Sequence, residues 1–344
     1  MTDIDALVIG GGQAGLATAH ALRRAGREPV VLEAKSEAVG SWPSYYDSLT
    51  LFSPARYSGL PGLAFPGDPA RYPRRDEVVD YLRRYAKHLA VDIRTGHRVE
   101  AVHRDGTGFR VRLADGTELG TRVLVAATGS FGRPNRPNLR SFTGTLLHSA
   151  DYREPTPFTG QRVVVVGAGN TAVQVGVELA AHARVTLATR SPVRFVPQRP
   201  LGRDVHFWST VTGIDTVPIG HLLRNPPHQP VLDHGRYRAA LTSGAPDQRR
   251  MFTAVDGTRV TWPDGTRERV DTIILATGYK PDLSYLTTLG ALDAQGRPLQ
   301  RRGLSTTHPG LGYVGLEWQR SLSSATLRGV ARDARYAVPR LLAH

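Results

Sequence analysis

The chain contains no cysteine among its 344 residues. It can therefore form no disulfide, no thiolate metal site and no dithiol redox centre. Lysine is almost as scarce, because it occurs only at Lys35, Lys87 and Lys280, and the other 41 of the 44 basic residues are arginine. The net charge is +14, but the arginines are scattered and form no clustered stripe of the kind that binds a polyanion. We therefore expect no nucleic-acid partner.

Long uninterrupted apolar runs are also missing. The apolar runs at 6–22 and 163–183 are both broken by glycines, so neither predicts a membrane span. The residues that follow Met1 show no features of a secretory leader, and the length suits about two domains. We expect a cytoplasmic two-domain protein without a membrane partner.

A metal site is not expected either. The histidines between Arg190 and Met251 have no acidic partner at ligand spacing and are separated by proline-rich loops, so we predict that they bind no metal. We expect this segment to border the active-site cleft instead. The histidines concerned are His206, His221, His228 and His234.

Two glycine-rich turns of the same form, Gly10–Gly15 and Gly167–Ala172, lie 157 residues apart. Each follows a short apolar strand and precedes a helical stretch and a second strand, which is the context that a dinucleotide-binding turn requires. Glycine allows the backbone to approach a pyrophosphate closely, and the helix N-terminus then faces the negative charge. The turns predict two nucleotide sites, formed by Gly10, Gly12 and Gly15 in the first and by Gly167, Gly169, Asn170 and Thr171 in the second.

The two turns differ in the charge of the residue 23 positions after their first glycine. That residue lies at the end of the second strand, beside the ribose of the bound nucleotide. After the first turn it is Glu33, and a carboxylate accepts hydrogen bonds from free ribose hydroxyls. After the second turn it is Arg190, whose guanidinium suits a 2′-phosphate. We predict an adenosine site of the FAD or NAD type first and an NADPH site second, which together would move hydride between nicotinamide and flavin.

The internal repeat extends beyond the turns. An Asp-Gly hairpin signal leads to an Ala-Thr-Gly sequence in both halves, at residues 115–129 and 264–278. We therefore predict an α/β fold with two Rossmann-like dinucleotide-binding domains of the FAD/NAD(P)-binding flavoprotein type, each with an antiparallel β-meander. We assign residues 1–157 and 279–344 to the FAD-binding domain and residues 158–278 to an inserted NADPH-binding domain.

Apolar residues also recur at helical spacing near the end of the chain, between Leu322 and Leu341. They predict a C-terminal helix with Ser323 or Ser324 as its N-cap. In flavoproteins of this architecture the start of such a helix faces the flavin pyrimidine ring, where the helix dipole stabilises the anionic reduced form.

The segment Phe142–Tyr152 matches F-x-G-x-x-x-H-x-x-x-[FYW], the fingerprint of class B flavoprotein monooxygenases. Asp271–Tyr279 is similar to their D-x-x-x-L-A-T-G-Y element, and Val39–Trp42 to their G-G-x-W segment with one of the two glycines kept. The chain resembles this family, which includes the flavin-containing and N-hydroxylating monooxygenases, over nearly its whole length. It is most similar to the small bacterial members found in arsenic- and metal-resistance gene clusters, through Leu51–Ala55 and Ser324–Val330.

The resemblance implies a reaction in which NADPH reduces FAD, the reduced flavin takes up O₂ as a C4a-hydroperoxide, and this species oxygenates a small soft nucleophile. The partners would then be O₂ and a small-molecule substrate, with a homodimer as the assembly to consider. The resemblance also gives Ser53 and His148 as catalytic candidates, and it adds to the cofactor site Trp42, Thr128, Gly129, Thr277, Gly278 and Glu317.

Both catalytic candidates leave alternatives open. Many relatives carry an asparagine where this chain has Ser53; the hydroxyl can still hydrogen-bond, but uncoupled oxidation of NADPH becomes more plausible. His148 either takes part in the chemistry or holds the linker between the domains. The alternative functions are a cysteine-free, thioredoxin-reductase-like enzyme that passes electrons from NADPH to ferredoxin or flavodoxin, an NADPH oxidase, and a nucleotide-sensing module without turnover.

Overall fold

The structure is a computed structural model that describes residues 3–223, 227 and 229–343. No helix within these ranges is both long and apolar enough to cross a membrane. In chain order, the α-helices of the described residues are α1 (Gln13–Arg24), α2 (Arg75–Leu89), α3 (Asn170–Leu179), α4 (Val205–Thr212), α5 (Arg236–Thr242) and α6 (Leu327–Leu341).

The strands are short. In chain order they are β1 (Asp3–Ile4), β2 (Ala6–Ile9), β3 (Pro29–Leu32), β4 (Asp92–Arg94), β5 (Val99–Asp105), β6 (Gly108–Leu113), β7 (Glu118–Thr121), β8 (Leu124–Ala126), β9 (Arg133–Pro134), β10 (Thr145–His148), β11 (Arg162–Val166), β12 (Arg184–Thr189), β13 (Phe195–Pro197), β14 (Val231–Asp233), β15 (Asp247–Arg250), β16 (Ala254–Asp256), β17 (Arg259–Thr261), β18 (Arg267–Arg269), β19 (Thr272–Leu275), β20 (Tyr279–Lys280), β21 (Gln300–Arg301), β22 (Leu304–Ser305) and β23 (Leu311–Tyr313).

The first large sheet has the strand order β21-β22-β23-β8-β2-β3-β4, and the strands from β23 to β4 are parallel. β2, the middle one of the five parallel strands, is buried on both faces, as is usual for parallel sheets. Val8 faces a core that includes α1, α2 and α6, whereas Leu7 and Ile9 face a core that includes the β5–β6–β7 meander. Because β23 comes from near the end of the chain and pairs with β8, the chain returns to this sheet after it has formed the second one.

The second large sheet is parallel throughout, with the order β10-β19-β11-β12-β15. Its central strand β11 consists of Arg162 and four valines and is buried along its whole length. β10 pairs with β19 in this sheet although it precedes residue 158, where we place the start of the NADPH-binding domain. The division into residues 1–157 plus 279–344 and residues 158–278 therefore stays a prediction.

Each half also carries a three-stranded antiparallel meander, β5-β6-β7 in the first and β16-β17-β18 in the second. The two Asp-Gly hairpins share a hydrogen bond and a glycine conformation. Asp115 Oδ1 accepts the Thr117 N–H and Asp264 Oδ1 accepts the Thr266 N–H, both at 2.9 Å, and the glycines that follow the two aspartates have φ of +85° and +83°. The predicted α/β class with two Rossmann-like units is confirmed.

The C-terminal helix exists, but its predicted N-cap is wrong. α6 begins at Leu327, and its N-cap residue is Thr326. Ser323 Oγ instead donates to the carbonyl of Asp215 at 2.9 Å, and Ser324 Oγ accepts two backbone N–H groups of the preceding turn, each at 3.0 Å. Both serines therefore stabilise the segment that precedes the helix and do not cap its first turn.

Candidate active site

A cleft of about 2860 Å³ lies where residues that follow β2, β3 and β8 face residues that follow β11, β12 and β19. Most of the predicted site residues lie along its wall, whereas Gly15, His148 and Gly278 do not. The predicted residues that line the cleft are Gly10, Gly12, Glu33, Trp42, Ser53, Thr128, Gly129, Gly167, Gly169, Asn170, Thr171, Arg190, Thr277 and Glu317.

The glycines of the first turn serve different purposes. Gly10 has φ +106°, and a Cβ there would lie 2.7 Å from the carbonyl oxygen of Ala127; a Cβ on Gly15 would lie 1.8 Å from the oxygen of Gly10. These two glycines are required by packing within the turn itself. Gly12 is the N-cap of α1, and no side chain caps the helix there. The first N–H groups of α1 are therefore available to a pyrophosphate, as a nucleotide site requires.

Glu33 is buried at 6 % exposure, and hydrogen bonds hold its carboxylate. Its Oε2 accepts the Gly11 N–H at 2.7 Å and its Oε1 accepts the Lys35 N–H at 2.9 Å. Each oxygen keeps a further lone pair, which fits the two hydroxyls of a ribose. Gly11 was missed by the sequence reasoning, although a Cβ on it would lie only 3.1 Å from Glu33 Oε2; the run of three glycines was the available signal.

The segment after β3 covers the first turn. A Cβ on Gly40, which has φ +62°, would lie 2.9 Å from the Cα of Gly12, so two glycine backbones are in contact. Trp42 Nε1 donates to Gln13 Oε1 at 2.6 Å, and Gln13 Nε2 donates to the carbonyl of Ala325 at 3.1 Å. The Gln13 side chain thereby connects the start of α1 by hydrogen bonds to Trp42 and to the segment that precedes α6.

The second turn is open. A Cβ on Gly167, with φ +148°, would lie 2.4 Å from the oxygen of Ala276, but one on Gly169 would meet no atom within 4 Å. Gly169 is the N-cap of α3, and again no side chain caps the helix. Asn170 Nδ2 donates to the carbonyl of Pro230 at 3.3 Å, while its buried Oδ1 has no partner among the described residues. The free N–H groups at the start of α3 fit the pyrophosphate of a dinucleotide, and the unpaired Asn170 Oδ1 fits one of its hydroxyl or amide donors.

Arg190 follows β12 directly and is exposed. It lines the cleft together with Arg194, and neither guanidinium forms an ion pair with any of the described residues. Two unpaired guanidiniums at the mouth of the second turn provide bidentate donors for a phosphate. At the first turn, Glu33 occupies the equivalent position.

The segment Phe142–Tyr152 lies at the seam between the two halves. Phe142 is buried in the core of the second sheet, and a Cβ on Gly144 would lie 2.6 Å from its ring and 2.7 Å from the carbonyl oxygen of Asp271. The Tyr152 hydroxyl donates to Glu178 Oε2 at 2.8 Å. The spacing of this motif is therefore explained by packing, since each of its side chains fills a fixed place.

His148 is fully buried behind the wall of the cleft. Its Nδ1 accepts the Ala150 N–H at 3.0 Å, so Nε2 carries the proton and donates to the carbonyl of Gly278 at 3.1 Å. Burial lowers the pKa of the ring, and Tyr279 packs edge-on against it at 5.0 Å between centroids. A neutral His148 holds the Ala-Thr-Gly end of the second half in place.

The two Ala-Thr-Gly ends reach across to one another. Thr128 Oγ1 donates to the carbonyl of Asp282 at 3.3 Å, and Thr277 Oγ1 donates to the carbonyl of Asn135. β9 and β20, which follow the two ends, pair antiparallel. Gly129 and Gly278 both have left-handed backbones, with φ of +76° and +79°. The segments that follow the two Ala-Thr-Gly sequences are thus joined to one another by equivalent hydrogen bonds.

Two further predicted residues, Ser53 and Glu317, form hydrogen bonds at the wall of the cleft. Ser53 Oγ shares a hydrogen bond of 2.9 Å with Ser58 Oγ. The backbone N–H of Glu317 donates to Ser130 Oγ at 2.7 Å. Both residues line the cleft. The Ser58 hydroxyl donates to the carbonyls of Pro54 and Ser53, so Ser53 Oγ is the donor in the bond between the two hydroxyls.

The histidines of the segment after Arg190 are dispersed. His206 bonds to Asp204, His221 lies 3.4 Å from Arg302, and His228 is outside the described residues. Within the described part of the chain, no group of three or more histidine, aspartate or glutamate side chains could hold a metal ion.

Two dinucleotide turns that face one cleft define an oxidoreductase of the class that binds a flavin and a pyridine nucleotide. A family model described as pyridine nucleotide-disulphide oxidoreductase matches residues 7–203, and the chain belongs to this family. The disulfide of the family's description has no counterpart here, because the chain contains no cysteine.

Individual relatives narrow the class. The chain is 31 % identical to the uncharacterized oxidoreductase CzcO of Bacillus subtilis (strain 168), over 98 % of this chain and 99 % of that protein. It is 32 % identical to a flavin-containing monooxygenase from Stenotrophomonas maltophilia, whose structure matches with a TM-score of 0.87 over 100 % and 99 % of the two chains. It is also 32 % identical to the indole-3-pyruvate monooxygenase YUCCA1 of Oryza sativa subsp. japonica, over 83 % and 80 %.

The resemblance to class B flavin monooxygenases is confirmed by these relatives. The protein is an NAD(P)H-dependent flavoprotein monooxygenase, and flavin monooxygenases of this family use FAD and NADPH. The residues that hold the cofactors remain predictions.

Proposed function

We propose that the protein catalyses the NADPH-dependent monooxygenation of a small soft nucleophile such as a sulfide, with FAD as resident cofactor. For a sulfide the balanced reaction is R₂S + O₂ + NADPH + H⁺ → R₂SO + NADP⁺ + H₂O. The observation that carries the proposal is the pair of turns, with opposite charges at Glu33 and Arg190, that open into one cleft. Bound FAD would supply the redox chemistry by accepting hydride and activating O₂.

The first site would hold FAD through prearranged groups. The N–H groups at the start of α1 would bind the pyrophosphate, and the buried Glu33 carboxylate would accept the ribose hydroxyls. Trp42, fixed by Gln13, would cover the cofactor and keep water from its reactive part. Because Glu33 and Trp42 are already held by hydrogen bonds to neighbouring residues, little conformational freedom of these side chains is lost on binding.

The second site would hold NADPH through groups that still lack partners. Arg190 would bind the 2′-phosphate, the start of α3 the pyrophosphate, and Asn170 Oδ1 a hydroxyl or amide donor of the coenzyme. His148 would act by position, since its neutral ring holds the carbonyl of Gly278 where the second half meets the cleft. Ser53 would supply a hydroxyl on the wall of the cleft.

The test is oxygen incorporation from labelled O₂. FAD-loaded protein is supplied with NADPH, methyl phenyl sulfide and ¹⁸O₂, and we expect one ¹⁸O atom in the sulfoxide for each NADPH consumed. Electrons that all appear as H₂O₂ would indicate an NADPH oxidase instead. Reduction of ferredoxin or flavodoxin without labelled product would indicate a reductase, and a protein that consumes no NADPH would be a sensing module.

A further inference from the structure

A hydrogen-bond hub joins the segment between β13 and α4 to the first half of the chain. Its centre is Asp204, the N-cap residue of α4. Asp204 Oδ1 accepts the backbone N–H and the Nδ1–H of His206, each at 2.8 Å, and its Oδ2 accepts the Tyr72 hydroxyl and, at 2.9 Å, the amide of Gln198. Burial opposes ionisation, but the hydrogen bonds from His206, Tyr72 and Gln198 lower the pKa of Asp204 to about 2.

Gln198 is the member of the hub that hydrogen-bonds to the backbone of the cleft wall. Its side chain is buried, with the residue 2 % exposed, and its Nε2 donates to the carbonyl of Phe52 at 2.9 Å as well as to Asp204. Its own backbone is fixed, because its N–H donates to the Asp233 carbonyl and its carbonyl accepts the Val205 N–H, both at 2.8 Å. The amide of Gln198 therefore has little freedom to move.

The carbonyl of Phe52 belongs to the peptide bond that joins Phe52 to Ser53. Because a peptide unit is planar, a bond that fixes this carbonyl also fixes the direction of the Ser53 N–H and the point from which Ser53 starts. The Phe52 ring adds a second contact, since it stacks on His206 with centroids 6.0 Å apart. Ser53 lines the cleft and Gln198 does not, so Gln198 can act on the cleft only through the residue that it holds.

We propose, on the basis of the proposed function, that Gln198 is a positioning residue for the monooxygenation: its amide, contributed by the second half, orients the Phe52–Ser53 peptide and so places the Ser53 hydroxyl in the cleft. Oxygen transfer needs this placement, whereas oxidation of NADPH does not. Loss of the Gln198 amide therefore diverts electrons from product to H₂O₂.

Two variants separate positioning from stability. Gln198→Met keeps the length and the burial but removes both hydrogen bonds of the amide. Tyr72→Phe removes a hydrogen bond to the same Asp204 oxygen and leaves the Phe52 carbonyl bonded. Gln161→Leu is a matched control, since Gln161 makes two side-chain hydrogen bonds, to Pro157 and Thr272, and does not line the cleft.

Two readouts are measured on FAD-loaded protein: amide hydrogen exchange of residues 49–53, and the ratio of H₂O₂ to methyl phenyl sulfoxide formed from NADPH and O₂. We expect Gln198→Met to increase both by about fivefold, the value of one neutral hydrogen bond. Tyr72→Phe and Gln161→Leu should lower the melting temperature and leave both readouts as in the wild type.

The proposal is overturned if Gln198→Met changes neither readout, if it changes hydrogen exchange without changing the product ratio, or if Tyr72→Phe changes both readouts equally. If the wild-type protein makes no sulfoxide, the proposed function has failed for this substrate class. The exchange of residues 49–53 still decides in that case whether Gln198 holds the segment, and unchanged exchange would overturn the proposal independently.

Discussion

The two dinucleotide turns have similar sequences and different surroundings. At the first, Gly12 is in contact with Gly40, and the carboxylate of Glu33 already accepts two backbone N–H groups. At the second, Gly169 faces open space and Arg190 has no ion-pair partner among the described residues. One turn is covered and internally bonded, whereas the other is uncovered and has unpaired groups.

The difference matches the roles of a resident and an exchanging ligand. A cofactor that stays bound gains from a closed, prearranged site, because few groups must be ordered on binding. A coenzyme that binds and leaves in each cycle needs an open path and gains most of its selectivity from a few charged contacts. The comparison therefore predicts that equivalent substitutions in the two turns will have different effects.

The largest effect is expected from placing valine at the N-cap of each helix. Gly12 and Gly169 both have extended backbones, with φ of −78° and −88°, which valine can adopt. Gly12→Val pushes a side chain against Gly40 and should weaken FAD binding by about 1–3 kcal/mol or more, giving largely colourless protein. Gly169→Val should keep its FAD and raise the KM for NADPH. The ratio of flavin to protein absorbance and the NADPH titration measure the two effects.

A Gly12→Val protein with full flavin occupancy would show that the first turn does not bind FAD. Equal loss of flavin in both variants would mean that the contrast between a covered and an open turn has no functional meaning.

The second prediction concerns coenzyme choice. A charge-assisted hydrogen bond contributes about 1.5–3 kcal/mol, which corresponds to a preference of about 10- to 150-fold for NADPH over NADH in kcat/KM. Arg190→Ala should remove most of this preference and leave turnover with NADH nearly unchanged, because NADH has no 2′-phosphate. Arg194→Ala, at the other unpaired arginine of the cleft, measures how much of the coenzyme preference that second guanidinium supplies. Equal losses with both coenzymes would make Arg190 structural, and a wild-type preference for NADH would contradict the assignment of the second turn.

The smallest effect is expected at the seam. Burial lowers the pKa of His148 below its ordinary value of 6.5, so the unfolded chain binds a proton more readily than the folded one. The contribution of His148 to the free energy of unfolding is therefore complete above a pH of about 6.5 and declines as the pH falls below it. His148→Asn cannot protonate and should flatten this decline, at a cost of about 1 kcal/mol near neutral pH for a lost hydrogen bond. Melting temperatures between pH 7.5 and 5 test this, and parallel curves for the two proteins would contradict it.

The features that the sequence predicted well are local ones. The turns, the Asp-Gly hairpins and the Ala-Thr-Gly ends depend on glycines with left-handed backbones and on neighbours a few residues away. The charges at Glu33 and Arg190 could be located because a βαβ unit fixes their distance from the turn.

The features that the sequence did not predict depend on distant partners. Ser323 bonds to Asp215 and Ser324 to the turn before α6 instead of capping the helix, which no local pattern indicates. Gln13 meets Trp42 across 29 residues, and Gln198 meets Phe52 across 146. β10 joins the second sheet through pairing with β19, more than a hundred residues later in the chain. Only the folded chain brings these residues together.

The crossed bonds of the Ala-Thr-Gly ends have a consequence for protein engineering. Thr277 is held by residue 135, and β10 pairs with β19, so a coenzyme-binding module that is cut out at residues 158 and 278 loses both of these links, whereas Thr128 and residue 282 stay together in the remainder. A donor module from a relative should instead start at Asn135 and end at Gly278, which leaves the paired strands β9 and β20 in the host. Grafted in this way, it would bring its own His148 equivalent and its own β10, and a library of such chimeras could exchange coenzyme preference while retaining the host's flavin site.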